Sequence, residues 1–278
     1  MERGQADLVP GFGGSLRELA ALANRYGVNK SRLFVQQALA GRMFFLNTSR
    51  PLFRDNISLR RAVNFAVDRA ALIREFGRYG AAATDQHLPP AVPGYRNARI
   101  YPLGGPDLRR ARALAARHTR GGKAVLYTCT EPDYCVAPAQ VLQHNLKAIG
   151  IDVQVKQFPF GVYFQKSATL GEPYDIILLG WVGGYNDPRE FMQLFDSRTG
   201  AENYSRFHSP LYNRLLDRAG RLSGPARYRA YGDLDVQLAR DAAPAVPYAV
   251  YKTSAFVSKR VGCVVMNPYF DLTAVCLK

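Results

Sequence analysis

The sequence predicts an α/β fold, and three local patterns support that prediction. A strand, a helix and a second strand follow one another between residues 123 and 158, which is the order of a parallel βαβ unit. The segment Tyr174–Trp181 is almost continuously apolar, as is typical of a buried strand in the same sheet. The segment Leu59–Phe76 keeps its apolar residues on one face, which indicates a long amphipathic helix.

The elements before the βαβ unit are predicted from periodicity and from capping residues. Apolar periodicity that stops at Gly27 predicts a short helix over Ser15–Arg25. The segments Leu33–Gln37 and Arg42–Asn47 are predicted as two separate strands. Ser58 is a suitable N-cap for the long helix, because its hydroxyl can accept a hydrogen bond from a free backbone amide.

Helices and strands alternate in the rest of the chain, and its C-terminal end is β-rich. Proline and glycine make residues 88–106 a predicted loop, and Pro106 suits the first turn of a helix that ends near His118. The later elements are predicted as strand, helix, strand, strand, three helices and a strand-like terminal segment: Lys123–Thr128, Ala137–Ile149, Ile151–Phe158, Tyr174–Trp181, Pro188–Phe195, Ser209–Leu222, Pro225–Arg240 and Val246–Leu277.

The chain is strongly basic, with 37 Lys+Arg against 22 Asp+Glu and a net charge of +15. Such a surplus can indicate a nucleic-acid partner. Here the basic residues are scattered singly and in small groups, and no Arg/Lys stripe alternates with aromatic residues. The charge pattern therefore indicates a solvated basic surface, and we expect no nucleic-acid partner.

The sequence offers neither a membrane span nor a signal peptide. Its longest apolar stretches, such as Ala242–Val250, are far shorter than the ~20 residues that a membrane-spanning helix needs. The opening residues Met1–Gln5 are polar, unlike a secretory signal. Two explanations stay open on these grounds: a cytosolic protein, or a chain whose N-terminal portion is missing.

The four cysteines form two local pairs, Cys129 with Cys135 and Cys263 with Cys276. An even number in local pairs favours two disulfides and hence an oxidising compartment. Free buried thiols are the alternative. A zinc site is a weaker third interpretation, because no CxxC motif or neighbouring histidine supports it.

The sequence contains no recognisable catalytic or cofactor motif. The glycine-rich segments at residues 11–14 and 180–184 do not match the dinucleotide-binding pattern. Asp233 and Asp235 are predicted on opposite faces of a helix, so they cannot share a proton. The histidines are widely separated and lack metal-ligand spacing: His87, His118, His144 and His208. We therefore expect a protein that is not an enzyme and binds no cofactor or metal.

One glycine- and aromatic-rich segment, Gly180–Pro188, follows the buried strand and precedes a predicted helix. In open α/β sheets, ligands bind beyond the carboxyl ends of strands. Trp181 and Tyr185 offer flat rings with polar tips, and Gly183 and Gly184 allow close backbone approach. The alternative is that the aromatic residues belong to the core and the glycines only make the turn.

Motifs spread over nearly the whole chain resemble, in order, those of the bacterial extracellular solute-binding proteins that include oligopeptide, dipeptide and nickel-chelate receptors. The stretch Tyr174–Pro188, for example, is similar to that family's "yDmxlxgWxaxYxDP". The matching stretches are Gly4–Asp7, Met43–Phe53, Leu59–Arg69, Leu88–Tyr95, Leu142–Val155, Tyr174–Pro188 and Ala243–Pro247.

The resemblance implies a periplasmic-binding-protein-like clamshell that closes on a solute, with the second lobe nearly complete and the first lobe only partly present. Residues 47–243 would form the second lobe, whereas residues 1–46 and 244–278 would return to the first. Family members are about twice as long and begin with a signal peptide. An N-terminally truncated chain would therefore explain why no signal is seen, and we expect an extracytoplasmic location, periplasmic or at the cell surface.

The resemblance also carries over the candidate ligand-binding residues, which are Trp181, Gly183, Gly184, Tyr185 and Asn186. One of them departs from the family pattern. Peptide-binding members have an aspartate at the position of Gly184, where it pairs with the α-amino group of the peptide. Its absence weakens the peptide assignment, because a carboxylate–ammonium pair stabilises a complex strongly once it is desolvated. Nearby Asp187 is predicted to cap the following helix instead.

The resulting hypothesis is a monomeric solute-binding component of an ABC importer that binds peptides or similar small solutes and delivers them to a membrane permease. One alternative is a receptor for a metal chelate or an oligosaccharide. Another is a truncated remnant that does not bind. If a micromolar site of about 8 kcal/mol were shared equally between two lobes, one lobe alone would bind only in the millimolar range.

Overall fold

The computed structural model describes residues 5–10, 16–266, 268 and 270–278. Gly4 of the first matching stretch and the predicted helix start at Ser15 lie outside these residues. Among the residues described, no helix combines the length and the apolar character needed to cross a membrane.

The strands that the structure describes are β1 (Leu8–Pro10), β2 (Leu33–Leu46), β3 (Ala81–Ala83), β4 (Lys123–Cys129), β5 (Asp152–Phe158), β6 (Ile176–Val182), β7 (Ala245–Val257), β8 (Val261–Cys263) and β9 (Cys276–Leu277). The α-helices are α1 (Leu16–Tyr26), α2 (Ile57–Ala66), α3 (Arg69–Ile73), α4 (Gly77–Gly80), α5 (Leu108–Ala115), α6 (Ala137–Lys147), α7 (Phe160–Ala168), α8 (Arg189–Met192), α9 (Pro210–Gly220) and α10 (Gly224–Gln237).

The main sheet has the order β1-β7-β2-β6-β4-β5, and β3 pairs with β7 on the edge that β1 also uses. The strands β4, β5 and β6 run parallel, whereas β2 is antiparallel to both β6 and β7. The predicted βαβ unit is confirmed as β4, α6 and β5. The separate pair β8–β9 lies near the C terminus.

Apolar side chains pack into three cores. Two large cores lie around the body of the sheet, and Phe44 belongs to one and Phe45 to the other, as expected for successive residues of a strand. A small third core joins α1 to the far ends of β2 and β7 through Leu19, Leu33 and Phe256. The two long strands therefore contribute to all three cores. The division at residues 46/47 and 243/244 stays a prediction.

Two sequence predictions about elements were wrong. The segments predicted as two strands are one strand, β2, with an irregularity in its pairing with β7 between Gln37 and Gly41. The long helix predicted over Leu59–Phe76 breaks after Ala66, because Asp68 accepts a hydrogen bond from the amide of Ala71 and starts a new helix.

The N-cap of the first part of that helix also differs from the prediction. Asn56 rather than Ser58 caps α2, with its side-chain oxygen accepting from the Leu59 amide at 3.3 Å. Short elements that the sequence pattern did not indicate are β1, β3, α4 and α7.

Candidate functional site

The carboxyl ends of three parallel strands define one edge of the sheet, at Cys129, Phe158 and Val182. The predicted ligand-binding residues begin within β6, at Trp181, and continue into the turn that leaves this edge after Val182. The neighbouring strand β2 places Gly41 opposite Trp181 and Arg42 opposite Gly180. Residues from β2 and from the loop after β4 therefore reach the same edge as the turn.

Hydrogen bonds from two backbone amides fix the start of the turn. The Gly183 amide donates to the carbonyl of Leu39 at 2.7 Å, which ties the turn to β2. The Gly184 amide donates to Oε1 of Glu190 at 3.3 Å. Glu190 lies in α8 and is only 8% exposed, so a nearly buried carboxylate stands directly behind the turn.

The side chains of the turn differ in exposure. Trp181 is half-buried against the second large core, and its indole Nε1 is buried without a hydrogen-bond partner. Tyr185 is 54% exposed, and Gly184 and Asn186 are exposed as well. Partial burial and a hydrogen bond to Glu190 raise the pKa of Tyr185. The open surface is thus formed by the second half of the turn, and the ligand-binding role of these residues stays a prediction.

Asp187 has the structural role that was predicted for it. Its Oδ1 accepts from the Arg189 amide at 2.8 Å, and both its oxygens bind the guanidinium of Arg227 at 2.8 and 3.0 Å. Burial alone would raise the pKa of Asp187, but the hydrogen bonds from Arg227 and from the Arg189 amide hold this pKa below its usual range.

Both predicted disulfides are confirmed, Cys129–Cys135 and Cys263–Cys276. The first closes the loop that follows β4 at the carboxyl edge of the sheet. Glu131 lies in this loop beside both sulfurs, but sulfurs that are bonded to each other are not the thiolates that bind zinc. The cysteine pair therefore serves to shape the loop.

Sequence reasoning missed Arg42, which is only 1% exposed. Its guanidinium carbon lies 3.7 Å from the centre of the Tyr134 ring, and Nη1 donates to the Tyr134 carbonyl. Tyr134 belongs to the disulfide-closed loop and is 40% exposed, so it covers the arginine from outside. The only signal in the sequence was a single charged residue within the otherwise apolar stretch from residue 38 to 46.

Further tyrosines lie within electrostatic range of Arg42, and the hydroxyls of Tyr163 and Tyr248 are buried without a hydrogen-bond partner. Burial raises the pKa of Tyr248 to about 12 and that of Tyr163 well above its usual value. Both phenols are therefore neutral at physiological pH and do not compensate the charge of the arginine. We call Arg42, Tyr134, Tyr163 and Tyr248 the arginine cluster.

A second buried polar pair lies away from this edge. Nδ1 of His87 is 2.8 Å from Asp235 Oδ1, and both side chains are fully buried. Asp233, on the same helix, is exposed and pairs with Arg96 at 2.8 Å. The two aspartates face opposite sides of α10, as predicted. Asp235 also accepts from the backbone amide of His87, which indicates a role in folding.

Comparison with known proteins agrees with the motif resemblance. The model of the bacterial extracellular solute-binding proteins, family 5 (middle region), matches residues 1–203. Heme-binding protein A of Haemophilus influenzae is 26% identical over 97% of this chain and 49% of its own length. Oligopeptide-binding protein OppA of Bacillus subtilis is 23% identical over 63% of this chain and 33% of its own length. Di/tripeptide-binding protein 4 of Pseudomonas aeruginosa is 30% identical over 72% and 38%, respectively.

Solved structures share the fold. HbpA2 of Haemophilus parasuis superimposes with a TM-score of 0.85 at 22% identity, over 99% of this chain and 54% of that one. A dipeptide-binding protein of Pseudoalteromonas, solved with Met-Leu, gives a TM-score of 0.72 at 19% identity over 99% and 55%. The expected periplasmic-binding-protein-like fold is thereby confirmed. The chain spans about half the length, or less, of the relatives that it matches.

Proposed function

Because this chain belongs to the family 5 bacterial extracellular solute-binding proteins, we propose that it holds a small solute outside the cytoplasm for a membrane permease of the ABC type. The relatives described above are named as binding proteins, which supports binding without catalysis. A short peptide is the first candidate solute, because two of the three relatives are named for peptides.

The observation that carries this proposal is the buried Glu190 carboxylate behind the turn. A Cβ atom added at Gly184 would lie 3.9 Å from Oε1 of Glu190. Glu190 therefore brings a carboxylate next to the position where the resemblance leads one to expect an aspartate. A desolvated carboxylate is a suitable partner for an ammonium group. We infer that Glu190 replaces the missing aspartate and receives the α-amino group of the peptide.

The ring of Tyr185 and the backbone of Gly184 would line the same surface, because both are exposed and lie beside Glu190. Trp181 would support this surface from below, with part of its ring in the core. Contacts through rings and backbone are independent of the side chains of the solute, so this arrangement suits a receptor that accepts many peptides.

A metal chelate is the second candidate solute. It is favoured by one observation, namely that the relative matching 97% of this chain is named for heme. Heme is planar and could stack on the exposed ring of Tyr185. An oligosaccharide remains the third class to be tested.

The test is a titration of the chain, by calorimetry, with trialanine, N-acetyl-trialanine, hemin and maltotriose. Because the chain spans about half the length of its relatives, it can bind as weakly as the millimolar range expected of one lobe. Each titration with a soluble ligand should therefore extend to about 10 mM. We expect trialanine to bind and N-acetylation to weaken binding at least about tenfold, since acetylation removes the ammonium charge.

Glu190→Gln keeps an oxygen that can accept from the Gly184 amide but removes the charge. We expect this variant to lose the preference for the free amine, whereas Leu211→Ala, an exposed change on α9, should keep it. Binding of hemin alone would replace the peptide assignment by the chelate assignment. Binding of none of the four ligands would support the remnant interpretation and refute the proposed function.

A further inference from the structure

We propose that the arginine cluster is a binding site for a carboxylate group of the solute. The proposal rests on the proposed function, because it names the chemistry of the solute that the same edge of the sheet receives. It gives Arg42 an anionic partner, which no carboxylate among the described residues provides.

The first argument is the charge of Arg42. A guanidinium is protonated at every physiological pH, so its 1% exposure means that a full positive charge is buried. Among the residues that the structure describes, no carboxylate oxygen lies within ion-pair distance of Arg42. Buried charges in proteins are normally paired, because removing an ion from water is costly. An unpaired cation at a ligand-binding edge therefore indicates that its partner comes from elsewhere.

The second argument is the set of hydrogen-bond donors around this charge. Arg42 Nε is buried without an acceptor, and so are the hydroxyl groups of Tyr163 and Tyr248. Each of these groups can donate a hydrogen bond, and both phenols are uncharged. A buried cation and neutral hydrogen-bond donors without acceptors are the groups that an anion needs as partners. A carboxylate could accept from the guanidinium and from a phenol at once.

The third argument is access. Tyr134 covers Arg42 and is partly exposed, and its ring lies over the guanidinium. Beside it, Gly180 has no side chain: a Cβ there would lie 3.3 Å from the Tyr134 hydroxyl and 3.6 Å from Arg42 Cγ. A rotation of the Tyr134 side chain would therefore open the guanidinium toward the carboxyl edge of the sheet.

The fourth argument is position. Arg42 pairs across the strands with Gly180, immediately before Trp181, whereas Glu190 accepts a hydrogen bond from the amide of Gly184, in the turn that follows β6. One cation and one anion thus flank the end of β6. A solute with a free amine and a free carboxylate could pair with Glu190 and with Arg42 at once, whereas a solute with only one of these groups would leave one of the two residues unpaired. The preferred solutes are therefore zwitterions.

The experiment compares trialanine with trialanine amide, which differ only in the terminal carboxylate, using the whole chain. The variants are Arg42→Met, which keeps the length of the side chain and removes its charge, and Arg42→Lys, which keeps the charge. The control is Arg214→Met, which makes the same change in net charge at an exposed position on α9. Calorimetry gives affinities, and differential scanning calorimetry gives the melting temperature of each variant.

We expect the unaltered chain and Arg214→Met to prefer the acid over the amide by about tenfold or more. Arg42→Met should bind the two ligands equally, with Arg42→Lys in between. Arg42→Met should also melt no lower than the unaltered chain, because it removes an uncompensated buried charge. The proposal is overturned if Arg42→Met keeps the preference for the acid, or if it melts far lower with unchanged ligand preference, which would make Arg42 a structural residue.

Sodium propionate provides a readout that does not depend on peptide binding. We expect it to raise the melting temperature of the unaltered chain and of Arg214→Met more than that of Arg42→Met, each measured against equal sodium chloride. If peptides fail to bind and propionate still acts through Arg42, the proposed function is wrong and the carboxylate site stands. If propionate stabilises all three proteins equally, the carboxylate site is refuted even where peptides bind.

Discussion

The two neighbouring glycines of the candidate turn should respond in opposite ways to the same substitution. A Cβ at Gly183 would lie 3.1 Å from two ring atoms of Phe191 and 3.3 Å from Cγ of Glu190. Phe191 is fully buried in the second large core and has no room to move aside. A Cβ at Gly184 would have its nearest neighbour at 3.9 Å, which is an ordinary contact.

The magnitudes follow from these distances. Forcing a methyl group into a packed site costs about 1–3 kcal/mol. A Gly→Ala change at a permitted backbone conformation stabilises by roughly 0.4–1 kcal/mol, because it restricts the unfolded chain. We therefore expect Gly183→Ala to destabilise by about 1–2 kcal/mol and Gly184→Ala to be neutral or stabilising. The two variants should thus differ by about 1–3 kcal/mol, and at about 2 °C per kcal/mol for a chain of this size their melting temperatures should differ by roughly 2–6 °C.

The assay is thermal unfolding followed by circular dichroism, with each variant serving as the control for the other. Gly183→Ala should also weaken solute binding, because the displaced Glu190 side chain no longer lies behind the Gly184 amide. Equal melting temperatures for the two variants would refute the packing argument. A lower melting temperature for Gly184→Ala would show that the turn differs from the one described above.

Three further outcomes can be measured on the same material. Asp235→Ala should lower the free energy of unfolding by about 3–5 kcal/mol, because it leaves the buried His87 without its partner. Asp233→Ala, an exposed change on the same helix, should lower it by about 1 kcal/mol or less, and urea unfolding would distinguish the two variants. Replacing Cys129 and Cys135 by alanine should lower the free energy of unfolding by at least about 2 kcal/mol, since the bond spans a sequence separation of 6. Reduction breaks this bond only in the unaltered chain, so it should lower the melting temperature of the unaltered chain more than that of the variant. The pKa of Asp187 is lowered in the folded protein, so its ion pair with Arg227 stabilises the fold fully above pH about 4, and this stabilisation is lost as the pH falls through the folded pKa. Asp187→Asn should therefore be less stable than the unaltered chain at pH 7, and its stability should change less with pH in this acid range.

The parts of the fold that the sequence predicted are those with a local pattern. The βαβ unit and the helix behind the Ser209 cap were predicted because capping, periodicity and turn residues lie within a few positions of one another. Strand β2 is predicted as two strands because Ala38, Ala40 and Gly41 interrupt the run of residues typical of a strand. Only pairing on both sides, with β6 and β7, shows that the strand continues.

The candidate site was predicted in part for the same reason. The turn from Trp181 to Asn186 is contiguous, so its residue types could be read together. The arginine cluster joins positions 42, 134, 163 and 248, and arginine and tyrosine at such separations carry no sequence pattern. Glu190 was missed because a glutamate at the start of a helix ordinarily serves the helix itself.

The hydrogen bond from Gly183 to Leu39 has a mechanical consequence. Leu39 lies in the part of β2 where three residues face a single residue of β7, so the ladder is interrupted there. An irregularity of this kind bends and twists a strand locally. The Gly183 amide therefore attaches the candidate turn to the segment of β2 that lies between Leu33 in the small core and Phe44 in a large one.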